Sequence, residues 1–84
     1  MTIQENWALS MARIEAYLQS LDEARQVSQT CFQVGGCEIC LQMQEESKVG
    51  SYAFPRTLVT FSGEEEAVAC FRRQFMIRFL TLGG

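Results

Sequence analysis

The residues with the most specific chemistry in this chain are its cysteines, Cys31, Cys37, Cys40 and Cys70, and Cys37-Glu38-Ile39-Cys40 has the C-x-x-C spacing of thiolate zinc sites. Four-thiolate sites usually draw on two such pairs, and this sequence holds one. Residues three apart in a continuous strand point to opposite faces, so Cys37 and Cys40 share a metal only if the strand breaks between them. The expectation is ordinary reduced thiols with no metal and no cofactor. The alternative is a zinc-, thiol- or small-ligand-binding protein using Cys31, Cys37, Cys40 and Cys70, with Trp7, Tyr17 and Tyr52 as pocket walls.

Catalytic groups are scarce. With no histidine, the usual base near neutral pH is missing. Glu64, Glu65 and Glu66 are consecutive and would point apart around a helix, so they serve the positive helix end better than paired acid–base work. Serine and cysteine nucleophiles lack an activating partner. The chain is expected not to be an enzyme.

A formal charge of −3, with the basic residues scattered apart from Arg72-Arg73, lacks the footprint of a nucleic-acid binder. No stretch reaches 18 uncharged apolar residues, and MTIQENW has no leader pattern, so a cytoplasmic protein without membrane contact is expected. Eighty-four residues make one domain, 1–84, with room for a two-layer core. At 48% hydrophobic and 20% charged residues it should fold.

Ser62 and Glu65 have capping-box spacing before AVACFRRQFMIRFLTLGG, which predicts a C-terminal helix. At helical spacing Val68, Phe71, Phe75, Phe79 and Leu82 form one apolar seam, and Ala69, Arg73, Met76 and Leu80, flanked by Ile77 and Cys70, form a second. The first seam covers a sheet. The second, Ala69, Arg73, Met76, Ile77 and Leu80, is the expected interaction surface, with a homodimer as the expected assembly. Arg72 and Arg73 pair with glutamates one turn earlier or solvate the face.

Thr2-Ile3-Gln4-Glu5 also has capping-box spacing, and Trp7, Met11, Ile14, Leu18 and Leu21 follow at helical intervals, predicting a first helix from Ile3 to Ser20. Residues 21–29 stay open between an irregular turn and a short helix. From Thr30 the period falls to two. Thr30, Phe32 and Val34, then Gly35-Gly36, then Cys37, Ile39, Leu41 and Met43 read as a hairpin. A two-residue turn there sets Phe32 opposite Ile39 on the core face. It also sets Cys31 opposite Cys40 on the other face in a non-hydrogen-bonded pair, within disulfide reach and expected to stay reduced in a reducing cytosol. Residues 45–50 read as a polar turn, and Tyr52 to Phe61 as a third strand whose early half, with Pro55, lies at a sheet edge.

The predicted fold class is α+β, a two-layer α/β sandwich: a three-stranded antiparallel sheet with both helices on one face, order α-β-β-β-α. The predicted core is Trp7, Met11, Ile14, Leu18, Phe32, Ile39, Leu41, Val59, Phe61, Val68, Phe71, Phe75 and Phe79. This order resembles the layout of double-stranded-RNA-binding domains. That family reads RNA through a basic start to its last helix and a His-bearing loop, whereas here the helix opens with three glutamates, so the resemblance serves architecture and not function. Leu82-Gly83-Gly84 resembles the ends of small modifier and sulfur-carrier proteins, which are activated on a C-terminal diglycine and have a β-grasp fold with a free extended tail. Because these glycines follow a predicted helix, helix termination is the reading taken. The expected function is a small non-enzymatic protein-interaction module, binding itself or another protein as a regulator or inhibitor of the phage or mobile-element accessory type.

Overall fold

The computed structural model describes residues 1–81. It contains five strands and two helices in the order β1 (Thr2–Trp7), α1 (Met11–Gln19), β2 (Ala24–Gln26), β3 (Cys31–Val34), β4 (Cys37–Val49), β5 (Tyr52–Gly63) and α2 (Glu65–Met76), with α2 continuing as a π-helix over Ile77–Thr81. The strands form one antiparallel sheet in the order β1-β5-β4-β3-β2. The three-stranded α-β-β-β-α expectation is therefore corrected: two strands were missed and the first helix begins later.

Residues 2–7 are a strand because Ile3, Glu5 and Trp7 alternate inward and Thr2 to Trp7 pair with Ser62 to Thr57. The Thr2–Glu5 capping box is thus coincidental. The cap of α1 is Ser10, whose hydroxyl accepts from the Arg13 N–H at 3.2 Å. Likewise Ser62 belongs to β5, and the N-cap of α2 is Glu64, without a side-chain cap bond. Within residues 21–29, three form the short edge strand β2.

The Gly35-Gly36 hairpin forms in the expected register, Phe32 opposite Ile39 and Cys31 opposite Cys40. Residues 45–50 are not the turn: β4 continues to Val49, and the chain reverses at Gly50, where φ is +62°. This second hairpin extends past its neighbours. β1 covers β5 only from Thr57 onward, β3 covers β4 only as far as Cys40, and a bulge interrupts the ladder between Gln44 and Ser47. Pro55 lies in the uncovered part of β5.

One sheet face carries the core. Phe32, Val34, Cys37, Ile39, Leu41, Val59 and Phe61 meet Ile14 and Leu18 of α1 and Val68, Phe71, Phe75 and Phe79 of α2 and its extension. Trp7 and Met11 are half-buried and pack against this cluster. Phe75 is central, touching the rings of Trp7, Tyr17, Phe61 and Phe79 at centroid distances of 5.0, 6.2, 5.5 and 4.8 Å. Thr57, a polar residue inside this core, donates its hydroxyl to the Leu9 carbonyl at 2.8 Å.

Candidate interaction site

The first seam of α2, Val68, Phe71, Phe75 and Phe79, is buried against the sheet and α1; Leu82, its expected last member, lies outside the described residues. The opposite side follows from the same periodicity. Ala69 and Arg73 are exposed, Met76 is half-buried, and Ile77 and Leu80 are 55% and 60% exposed. The structure thus brings the five predicted residues to one outward side of the helix. α1 does not cover them, because its inward residues are spent on the sheet and its Tyr17 on Phe71, Phe75 and Phe79.

Cations surround the π-helical end. The Arg78 guanidinium lies 5.8 Å from the ring centroids of both Tyr17 and Phe79, and Arg13 of α1 approaches Phe79 at the same distance. Burial raises the Tyr17 hydroxyl pKa, and Arg78 partly opposes that shift. A recess of about 260 Å³ lined by Trp7, Leu9, Arg13, Phe79 and Leu80 opens beside these groups. Such a site can seat an apolar side chain with an acidic neighbour. Arg13 and Tyr17 were not singled out from sequence as parts of this surface, because their role depends on where α1 docks.

Arg72 is committed elsewhere. It donates through Nε to Glu5 Oε2 at 3.0 Å and through Nη2 to the same oxygen, tying α2 to β1 and raising the arginine pKa. The expected partner one turn back is replaced by a residue 67 positions away.

The thiols do not converge on a metal. Cys37 is buried on the core face and Cys70 is exposed on α2, while Cys31 and Cys40 are joined by a disulfide on the open sheet face. That bond corrects the expectation of four reduced thiols. A Cα–Cα distance of 4.1 Å in a directly opposed pair places the sulfurs within bonding reach. Burial raises the Cys37 pKa, disfavouring thiolate and hence metal ligation there. Among the described residues no group of three or more His, Cys, Asp or Glu side chains is placed to hold a metal ion. Of the four predicted residues, Cys31 and Cys40 are brought together on one face, and Cys37 and Cys70 lie apart from them. No helix among the described residues is long and apolar enough to cross a membrane.

The family model described as archaeal MoaD-like protein matches residues 5–84. A comparison with curated proteins finds no match.

Proposed function

We propose, from the premise that this chain belongs to the archaeal MoaD-like family, that it is a small carrier-type protein recognised by another protein through the outward side of α2. The observation that carries this reading is the family match itself, whose span includes Leu82-Gly83-Gly84. Sequence alone favours the diglycine as a helix terminator. It lies outside the described residues, and the family match favours the resemblance to sulfur carriers instead. The chain departs from an extended-tail carrier in one respect: a helix runs to Thr81, immediately before Leu82.

Carrier chemistry would require a free carboxylate on Gly84. A carboxylate is a poor electrophile, so a partner enzyme would first convert it to a mixed anhydride at the expense of a nucleoside triphosphate. A sulfide-level donor would then form the C–S bond as the C–O bond to the phosphate breaks. This chain's part is non-enzymatic, in keeping with its lack of histidine. Its contribution is the grip: Ala69, Arg73, Met76, Ile77 and Leu80, with Arg13 and Arg78 nearby, suit an apolar partner surface with an acidic rim. Intact-mass spectrometry of the chain isolated from its native cells tests the reading. A population heavier by sulfur in place of oxygen, lost on deletion of Gly83-Gly84, is the expected result. An unmodified mass under conditions of active sulfur transfer contradicts it.

A further inference from the structure

The second hairpin has two uncovered edges, and they differ. Counting from Tyr52, which closes the two-residue turn, the odd-numbered residues of β5 direct their N–H groups outward. Pro55 falls in that row and has no N–H, so this edge offers a poor template for another strand. β4 is open on its other side. The last backbone bond there is Leu41 N–H to the Thr30 carbonyl at 2.9 Å, and from Gln42 to Val49 no strand among the described residues lies alongside.

We propose that this β4 edge pairs antiparallel with the same edge of a second copy, around a two-fold axis normal to the sheet that passes beside Ser47. The charge pattern selects the partner. In this register Glu46 of each copy, with the bulged Glu45 beside it, faces Lys48 of the other, so the interface gains two reciprocal ion pairs, and beyond the bulge Gln44 lies opposite Val49 and Met43 opposite Gly50. The lengths also agree. The open edge begins at Gln42, and the copy's small turn residues Gly50-Ser51 reach a recess of about 490 Å³ where β3 stops, lined by Thr30, Leu41, Gln42 and Met43. The bulge and the glutamates Glu45 and Glu46 are the usual defences of an exposed edge. Here they discriminate: an acidic strand is repelled, a neutral one leaves the glutamates unpaired, and a copy supplies a cation opposite them. Beside this edge Val49, Tyr52 and Phe54 are 65%, 71% and 43% exposed, with the two rings stacked at 6.2 Å, a flanking apolar surface that the second copy would partly cover.

Sedimentation equilibrium from micromolar to millimolar concentration, in a Cys70→Ser background to exclude intermolecular disulfides, tests this interface. The expected result is a wild-type dimer, an affinity lowered about tenfold or more by Lys48→Glu, and recovery when Glu45→Lys and Glu46→Lys are added to it. A wild-type monomer throughout overturns the proposal. So does a dimer that ignores Lys48→Glu and dissociates with Leu80→Glu, which moves the interface to α2, and so does failure of the added charge reversals to restore affinity.

Discussion

The carbonyl oxygen of Gly36 lies 2.0 Å from where a Cβ on Gly63 would sit, so the end of β5 and the tip of the first hairpin meet backbone to backbone. Gly63 also has φ of +139°. The contact lets the Glu64 N–H reach the Gly36 carbonyl at 3.3 Å and starts α2 directly over the sheet. Gly63→Ala should cost about 2 to 3 kcal/mol or more, since both backbone conformation and space oppose it. Gly50→Ala, where φ is +62° and nothing lies within 4 Å, should cost about 1 kcal/mol. Urea midpoints of the two variants check this; equal losses would show that the Gly36 contact carries no weight.

Phe75 is fully buried among four rings. Phe75→Ala should lower stability by about 3 to 5 kcal/mol, a large share of what a domain this size possesses. The melting temperature should fall by more than about 10 °C. An unchanged melting temperature would mean that α2 does not pack on this face.

The Cys31–Cys40 disulfide, at a sequence separation of 9, closes a short loop. In the chain-entropy view its reduction should cost about 2 to 3 kcal/mol without abolishing the fold. Denaturation with and without a dithiol reductant measures this. The Cys31→Ser, Cys40→Ser variant should match the reduced protein and no longer respond to reductant.

Cys37 gives a pH dependence of defined sign. Its folded pKa is raised above the ordinary 9.0 by burial, so above that pH the unfolded chain loses the thiol proton first. Stability from this group is fully present below the unfolded pKa and is lost as pH rises through the folded value. Tyr17, raised from 10.0 by burial, adds a loss in the same direction at higher pH. Stability curves should therefore fall above about pH 9. Cys37→Ala should remove the earlier part of the fall and leave the later part; an unchanged profile would exclude the thiol.

Local patterns carried the hairpin, its register and the helix faces. The Gly35-Gly36 turn couples residues close in sequence, so Phe32–Ile39 and Cys31–Cys40 followed directly. β1 was not legible in that way. Its partner strand is 50 to 60 positions away, as in Trp7–Thr57 and Thr2–Ser62, and Trp7, Met11, Ile14 and Leu18 fall at helical spacing by chance across a strand–helix boundary. The far half of β4 was hidden for another reason. Exposed apart from half-buried Ser47, Glu45 to Val49 show no alternation in hydrophobicity, so the turn at Gly50-Ser51 has no flanking apolar signal on that side. The second seam of α2 was legible because helical phase alone decides it; the grouping of Arg13, Tyr17 and Arg78 beside it required the tertiary fold.

The measurement that bears most directly on the carrier reading compares terminal modification in wild type and Leu80→Glu, both isolated from the native cells and analysed by intact mass. Leu80 is largely exposed, so the charge should leave folding intact, which circular dichroism verifies. A sulfur-for-oxygen mass gain on Gly84 is expected in wild type, and its loss, or a reduction of about tenfold or more, in the folded Leu80→Glu variant. A mass gain equal in both chains would contradict recognition through α2, and its absence from both would contradict the carrier function itself.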